Sequence, residues 1–496
     1  MHLPRSRAIL FGLMTLTALS LSLGGCSTNP ATGQSIFTGL MSPEQEQAMG
    51  DEQSGEITAE YGGVNDNAKL NEFVAMIGAK LVPYTERRDV PNYTFTVLNS
   101  DDVNAFAMPG GYIYITRGLL SLAENEAQVA GVLAHELGHI QGRHSAQQYS
   151  QTALANIGVG LLGAAIGGTG GEMAGQAVGL GAQAGLMKYS RTHEFEADSL
   201  GIRYMQLAGY DPKEAARFLE TLDRSTQFEN KINGTGQGAN AFSFLSSHPA
   251  TPDRVQRAYT LASQTPQNIN YYLGRDKYMS AIDGTNYGGS SKSGFVRGNE
   301  YIHPQMGFRF SVPAGFNIQN GEKQVAAENG RGALIVFDMG KGLTNDPVAY
   351  LSQSWLQNLA PANVEPITVN GLSAATGIAV INSSAGTKDG RFIAISAERG
   401  EFYRLAYLTP QGQQSSYTTD FQRSTYSFAK LTQAEKEKLS PNNIRIVTVG
   451  NGDTPATLAK KMAVPDHALD RFCLLNGVTP ETTLKPGDKI KLVQPF

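Results

Sequence analysis

The chain has 496 residues, of which 41% are hydrophobic and 17% are charged, a balance typical of a globular protein. At this length we expect roughly two to four domains. The formal net charge of −4 and the isoelectric point of about 6.1 give no sign of a basic binding surface, so we expect no nucleic-acid partner.

The first 25 residues predict a secretion signal that is not part of the fold. Arg5 and Arg7 precede a mostly apolar run over residues 8–23. This run is shorter than the roughly 20 residues that a membrane-spanning helix needs. We therefore expect residues 1–25 to be removed from the mature protein.

The end of this signal looks like a bacterial lipoprotein processing site. Residues 23–26 read Leu-Gly-Gly-Cys, with small residues directly before the cysteine. We expect Cys26 to become a lipidated N-terminus and residues 26–39 to form a tether. Ser27, in place of an aspartate, favours the periplasmic face of the outer membrane as the destination. The alternative is an ordinary secretion signal followed by an incidental cysteine.

Residues 112–118, Tyr-Ile-Tyr-Ile-Thr-Arg-Gly, predict a strand followed by a turn, because β-branched and aromatic side chains favour strands. A strand with a free edge can bind an extended polypeptide through main-chain hydrogen bonds. We therefore take this strand as a hypothetical binding site for an extended peptide.

Residues 124–144 predict one helix, and its last eleven residues, 134–144, include three histidines and a glutamate. His135 and His139 are four residues apart on one face, so both imidazoles can reach one small ion. Glu136 is placed to act as a general base on a water, and the H-E-x-x-H spacing is that of two zinc ligands and such a base. His144 would be turned about half a revolution from His135 if the helix continued, so we interpret it as a polar or structural residue.

A catalytic zinc ion needs a third protein ligand and leaves its fourth position to water. The extended pattern H-E-x-x-H-x-x-G-x-x-H fails here, because Ser145 stands at its last position. Residues 190–205 predict a later helix on which Glu194 and Asp198 share a face while Glu196 points elsewhere. We expect Glu194 to be the third ligand and Asp198 to orient a ligand imidazole through its free N–H. A solvated acidic face is the alternative interpretation.

Residues 157–187, between these two helices, are small and apolar, with a glycine at every fourth position from Gly163 to Gly179. Two interpretations of this stretch remain: a tightly packed helical pair, or an element that contacts the membrane or gates the site. We favour the helical pair, because glycine destabilises an isolated helix by about 1 kcal/mol relative to alanine.

Four stretches together resemble the gluzincin endopeptidases of the HtpX and prenyl-protein-protease type, especially their soluble periplasmic branch. The stretches are residues 104–120, 125–139, 190–198 and 246–254. They lie within residues 40–265, which we expect to form the peptidase domain.

The resemblance implies one Zn²⁺ per chain, bound by His135, His139 and Glu194. It also implies that Glu136 is the catalytic base and that Asp198 supports catalysis.

Two further residues gain roles from the resemblance alone. His248 matches a histidine that in periplasmic relatives approaches the metal as a regulatory fourth ligand. Arg254 matches an arginine that closes the same motif and supports the site.

The resemblance also implies a function: cleavage of misfolded, unfolded or misassembled envelope polypeptides, including stalled outer-membrane proteins. The rival is an envelope chaperone or scaffold that links the outer membrane to peptidoglycan, with latent or secondary protease activity.

Composition changes after about residue 265. Residues 266–298 are rich in glycine and serine towards their end and predict a linker. Residues 299–432 contain several β-branched and aromatic stretches, and two helical stretches at 347–360 and 417–431, which predict an α+β domain with an antiparallel sheet. We see no catalytic constellation in this domain and leave its role open.

Residues 443–494 predict a strand, two helices and a strand. Thr454 and Pro455 are suited to begin the first helix, and Asp466 and Gly477 to begin and end the second. This order resembles a LysM module, which implies binding of the N-acetylglucosamine backbone of peptidoglycan, or a fold that has lost the sugar. The predicted fold class is therefore multidomain: a mainly α-helical zincin domain with a small β-element, an α+β domain and a β-α-α-β module.

Overall fold

The computed structural model describes residues 26–165, 189–233, 244–266, 269–321, 324–383, 386–439, 441–464 and 466–495. The predicted signal at residues 1–25 and most of the glycine-rich stretch 157–187 lie outside these ranges. Within them, no helix combines the length and the hydropathy that a membrane crossing requires.

The N-terminal half of the chain is mainly helical. Its helices are α1 Pro43–Glu60, α2 Ala68–Leu81, α3 Arg117–Leu122, α4 Glu126–Gln141, α5 His144–Ala165, α6 Arg191–Leu207, α7 Lys213–Asn233, α8 Phe244–Ser247, α9 Pro252–Ser263 and α10 Arg275–Ile282. Its strands are β1 Cys26–Thr28, β2 Ser35–Phe37, β3 Thr94–Leu98, β4 Ala105–Met108 and β5 Tyr112–Thr116.

Helix α4, which carries the H-E-x-x-H motif, runs through the core, and all of its residues are buried. The Asn125 side chain caps its start by accepting a hydrogen bond from the Gln128 N–H. The helix ends at Gln141, three residues earlier than the sequence predicts. Arg143 then takes a left-handed backbone conformation with φ of 54°, which turns the chain into α5.

The small sheet has the order β3-β5-β4, with β5 parallel to β3 and antiparallel to β4. Strand β5 is the predicted strand, but both of its edges are already paired. A helix, α3, follows it in place of the expected turn. The hypothesis that this strand binds an extended peptide is therefore wrong, and the edge strand on the side of α4 is β4.

The N-terminal residues 26–39, expected to be a tether, form a hairpin of β1 and β2 that packs against the helical domain. Arg143 donates hydrogen bonds to Thr38 Oγ1 at 3.0 Å and to the Met41 carbonyl at 2.8 Å. Asn29, in the turn, is completely buried. Polar contacts that the composition does not reveal thus hold this segment in place.

The linker predicted at residues 266–298 differs from the structure. Helix α10 lies within this range, and its Tyr278, Met279 and Ile282 are fully buried in the core of the helical domain. The glycines and serines that suggested a linker follow this helix. The helical domain therefore extends beyond the predicted boundary at residue 265.

Residues 295–430 form the sheet-rich part. A four-stranded sheet has the order β16-β8-β7-β6, and a seven-stranded sheet has the order β12-β13-β14-β15-β11-β10-β9, with antiparallel pairing throughout. The strands are β6 Phe295–Arg297, β7 Glu300–His303, β8 Phe308–Ser311, β9 Asn317–Asn320, β10 Val325–Glu328, β11 Leu334–Lys341, β12 Ala362–Val369, β13 Leu372–Ser383, β14 Gly386–Ser396, β15 Glu401–Pro410 and β16 Ala429–Lys430.

The helices of this part are α11 Pro347–Tyr350, which continues as a π-helical turn over Leu351–Trp355, and α12 Gln414–Ser427. Helix α13, Gln433–Lys438, follows the last strand. Aromatic side chains dominate the core between sheet and helix; Phe308, Phe310, Phe337, Tyr403 and Phe428 are among them. The chain thus combines helical and sheet-rich regions, as predicted.

The C-terminal residues have the expected order β17 Asn443–Thr448, α14 Pro455–Ala459, α15 Ala468–Asn476 and β18 Lys489–Gln494. Thr454 caps α14 with Pro455 in its first turn, and Gly477 ends α15 in a left-handed conformation, as predicted. Asp466 does not cap α15; its carboxylate accepts a hydrogen bond from Arg471 at 2.9 Å instead.

This C-terminal module packs against the helical domain. Ile444 of β17 is fully buried in the same core as α2, α4 and α10. Lys491 of β18 is also fully buried, and its ammonium donates hydrogen bonds to the carbonyls of Ser121, at 2.7 Å, and Ala123. These carbonyls lie at the C-terminal end of α3, where helices leave carbonyls unpaired.

Candidate metal centre

Helices α4 and α6 approach each other closely at the motif. A β-carbon at Gly138 would lie 2.8 Å from the Ala197 carbonyl oxygen, so only glycine allows this spacing. Ser190 caps α6 by accepting a hydrogen bond from the His193 N–H, and Glu194 follows in the first turn. This close packing brings the Glu194 carboxylate to the imidazoles of α4.

Four buried side chains converge there, those of His135, His139, Glu194 and His248. The Nε2 atoms of His135 and His139 are 3.0 Å apart. Glu194 oxygens lie 3.5 Å from each of these two nitrogens. His248 Nδ1 lies 2.9 Å from Glu194 Oε1 and 3.4 Å from His135 Nε2.

This donor set fits a zinc ion. Zinc prefers nitrogen and carboxylate oxygen ligands at about 2.0–2.1 Å in a tetrahedral arrangement, which separates neighbouring ligand atoms by roughly 3.3 Å. The separations of 2.9 to 3.5 Å bracket that value. His135, His139 and Glu194 would hold the ion, with His248 in reach of its fourth position.

Burial favours neutral His139 and neighbouring groups favour ionised Glu194, and these are the forms that bind a metal. Burial holds the pKa of His139 well below its ordinary value. Burial also acts to raise the pKa of Glu194, but the positive charge of His248 and hydrogen bonds from His135 and His248 outweigh it and hold that pKa well below its ordinary value.

Asp198 and Arg254 support the His135 ring on the side away from the metal site. His135 Nδ1 lies 2.9 Å from Asp198 Oδ1, so the carboxylate is placed to orient the imidazole while Nε2 faces the metal site. Arg254 donates to both oxygens of Asp198 at 2.8 Å, and its Nη1 lies 2.7 Å from Glu194 Oε2. The guanidinium thereby balances two buried carboxylates.

Glu136 is fully buried, and neither of its carboxylate oxygens has a hydrogen-bond partner among the described residues. Burial raises its pKa, and the charges of His248 and His135 offset part of that increase. A buried carboxylate without a partner costs free energy unless a ligand or water satisfies it. Its position beside the four donors indicates a group that works on a bound water or substrate.

His248 differs from the other donors because it lies outside a helix, directly after the short helix α8. Phe244 stacks on its ring at a centroid distance of 4.7 Å, and the Phe244 N–H donates to the Val103 carbonyl at 2.8 Å. Arg254 Nη1 donates to the His248 carbonyl at 3.2 Å. These contacts hold the segment beside Val103, two residues before edge strand β4.

The sequence interpretation missed two aromatic neighbours of His139. Tyr189 stacks on its ring at a centroid distance of 4.0 Å and bonds Ser145 through its hydroxyl at 2.9 Å. His144, which we expected to point away, is completely buried, with its Nδ1 2.9 Å from His139 Nδ1. The glycine two residues before it was the one available signal that the helix ends early.

Two histidines on one helix and a glutamate on a later helix packed against it define a class of protein. This class is the zinc metallopeptidases in which that glutamate is the third ligand. Residues 68–262 match the model of peptidase family M48. The chain therefore contains a domain of that family, and zinc is its metal.

The relatives that match this chain have the names of proteases. The beta-barrel assembly-enhancing protease of Escherichia coli (strain K12) is 29% identical over 264 residues, which cover 52% of this chain and 52% of that protein. Its namesake from Yersinia pestis is 32% identical over 231 residues, 45% of each chain. The mitochondrial metalloendopeptidase OMA1 of Schizosaccharomyces pombe (strain 972 / ATCC 24843) is 27% identical over 215 residues, 43% of this chain and 59% of that protein. The chain thus spans about half the length of the bacterial relatives.

Proposed function

We propose that this protein is a zinc-dependent endopeptidase of the bacterial envelope that cleaves misfolded or stalled outer-membrane proteins. The observation that carries the proposal is the buried carboxylate of Glu136, which lies 3.8 Å from His248 beside four convergent metal donors. The names of the bacterial relatives, which refer to β-barrel assembly, support the substrate class.

The reaction divides among residues of this chain. His135, His139 and Glu194 would hold the zinc ion, which would supply a Lewis acid that polarises the scissile carbonyl and lowers the pKa of water from about 15.7 towards 7. Glu136 takes a proton from the attacking water and delivers it to the leaving amine. Burial raises the pKa of Glu136 above its ordinary value, which suits a group that must both accept and donate a proton.

Edge strand β4 is the best candidate for holding the substrate. It is paired with β5 on one side only, and it lies against α4 beside the motif. An extended peptide that pairs with Ala105–Met108 is read through its backbone, which explains tolerance for many unfolded sequences.

His248 gives the resting enzyme a means of latency. A catalytic zinc keeps one position open for water, and a fourth protein ligand closes it. If His248 binds the metal, the fourth position would be closed to water and the enzyme would be inactive until His248 moves away.

The sequence supports an outer-membrane anchor at a lipidated Cys26, on the periplasmic face. The β-α-α-β order of residues 443–494 supports contact with peptidoglycan. Together, the lipid anchor and the peptidoglycan contact describe a protease held between the outer membrane and the cell wall.

Replacement of the base tests the reaction. We expect Glu136→Gln to retain zinc at the wild-type level, because Glu136 is not among the four donors, and to lose cleavage of unfolded outer-membrane proteins and of casein. Metal analysis and a digestion assay, with and without a chelator, measure both properties. Wild-type rates in the Gln variant would remove Glu136 from the mechanism, and chelator-resistant cleavage would remove the metal.

Sedimentation with purified peptidoglycan sacculi tests the cell-wall contact. We expect the soluble full chain, without residues 1–25 and with Cys26→Ser, to sediment with sacculi and to be released by N-acetylglucosamine oligomers. Protein that stays in the supernatant would show that the module has kept the fold without the sugar.

A further inference from the structure

The second ligand imidazole, like the first, has a partner on the side away from the metal. His139 Nε2 faces the metal site, so in the neutral ring the proton lies on Nδ1. That nitrogen is 2.9 Å from His144 Nδ1. His139 therefore donates, His144 accepts, and the remaining proton of His144 must lie on its Nε2.

The chain reaches this arrangement through a local break. Helix α4 ends at Gln141, and the left-handed turn at Arg143 brings His144 back beside His139. Gly142 makes room, because a β-carbon at this position would overlap the His144 ring. His144 reaches the metal centre because the helix stops.

Glu196 completes the chain of hydrogen bonds. His144 Nε2 lies 3.4 Å from Glu196 Oε2, so the donor at the far end of His144 meets a carboxylate. The other oxygen of Glu196 accepts hydrogen bonds from Asn29 Nδ2 and, at 3.5 Å, from the Thr32 hydroxyl. Both residues belong to the turn of the N-terminal hairpin β1–β2. The hairpin therefore fixes the Glu196 carboxylate, which in turn accepts the hydrogen bond from His144.

The two ligand imidazoles are thus braced by different means. His135 meets the carboxylate of Asp198 directly. On the side away from the metal, His139 reaches a carboxylate through His144, which has no exposed surface and cannot exchange its partners with water. A partner of this kind fixes the tautomer and orientation of a metal-binding imidazole.

We propose that His144 is the positioning residue for His139, and that Glu196 and the N-terminal hairpin hold His144 in register. The inference rests on the proposed metal site and deepens it. The segment directly after Cys26 becomes part of the support of the metal centre.

The test measures zinc affinity by competition with a chromophoric chelator, in the purified soluble chain. We expect His144→Leu, which keeps bulk but removes both hydrogen bonds, to weaken zinc binding about 10- to 100-fold. His144→Gln, which keeps an acceptor and a donor, recovers part of that loss. Asn29→Ala and Glu196→Ala weaken binding in the same direction.

A spectroscopic readout separates positioning from folding. In the Co²⁺-substituted protein, His144→Leu shifts the visible absorption bands, because His139 rotates in the ligand sphere, while thermal unfolding of the metal-free protein reports any general damage. His193→Leu is the matched control. Its ring stacks on His144 at a centroid distance of 4.3 Å, but its Nδ1 has no hydrogen-bond partner among the described residues, so we expect zinc affinity within twofold of wild type.

The outcomes distinguish this inference from the proposed function. Wild-type protein that binds no zinc overturns both. Tight wild-type binding, with zinc affinity and Co²⁺ spectrum unchanged in His144→Leu, overturns only the positioning role. If His144→Leu fails to fold, His144→Gln and Glu196→Ala decide, and wild-type values in both overturn the proposal.

Discussion

The four donor side chains of the metal centre are held with different firmness. His135 and His139 belong to one buried helix, and Glu194 is fixed by Arg254 at 2.7 Å. His248 follows a helix of four residues, and its buried ring stacks on Phe244 and lies 2.9 Å from Glu194. The three firm donors, all on longer helices, match the protein ligands of a catalytic zinc, so we propose that His248 is the donor that leaves.

Replacement of His248 should therefore differ from replacement of the firm donors. We expect His248→Ala to keep most of its zinc and to change or raise proteolysis, because water gains the fourth position. We expect His135→Ala to lose its zinc. Metal analysis and digestion of unfolded protein by the two variants provide the comparison, and an equal loss of zinc in both would make His248 an obligatory ligand.

At the scale of elements, the sequence predicted what a helix or strand is more reliably than where it ends. The apolar spacing of α4 and the H-E-x-x-H motif identified the helix, His135 and His139. The end at Gln141 depends on the left-handed turn at Arg143, which no local pattern requires. The role of His144 was missed for that reason alone.

The sequence also did not predict which strands pair with each other. Residues 112–116 have strand-forming side chains, but only the sheet order shows that β5 is central and that β4 is the edge. Likewise, residues 275–282 are apolar at helical spacing, yet the glycines after them suggested a linker. Residues distant in the sequence decide which strands pair and whether a helix joins a core, and local sequence patterns do not reveal those contacts.

The contact between β18 and α3 predicts a pH effect on stability. Burial lowers the pKa of Lys491 to about 7. The unfolded chain keeps the lysine charged up to about pH 10.4, so between these values only the unfolded state holds the proton. The Lys491 contribution to the free energy of unfolding is therefore least favourable near pH 7 and grows as the pH rises.

Denaturant unfolding of wild type and Lys491→Met at pH 7, 8.5 and 10 checks this sign. We expect the stability of wild type relative to the variant to increase with pH across that window. Lys489→Met, an exposed lysine on the same strand, reports the effect of a surface replacement. A constant difference between wild type and Lys491→Met would show that Lys491 stays charged when folded.

On the scale of the whole molecule, the first and the last described segments of the chain both contact the peptidase domain. The N-terminal hairpin is held by Arg143 and contacts Glu196, and Lys491 joins the C-terminal module to α3. The sequence suggested separate parts on flexible connections, because composition does not reveal such contacts. An anchor at Cys26 and a wall-binding module would then both act directly on the peptidase domain.

The central claim is that side chains of α4 and α6 bind one metal ion, and zinc stoichiometry tests it most directly. Metal analysis should find one zinc per chain in wild type and in Glu220→Gln, an exposed glutamate of α7 that serves as control. Glu194→Gln should retain almost none, because an amide replaces the anionic ligand. A full equivalent of zinc in Glu194→Gln, or none in wild type, would contradict the account.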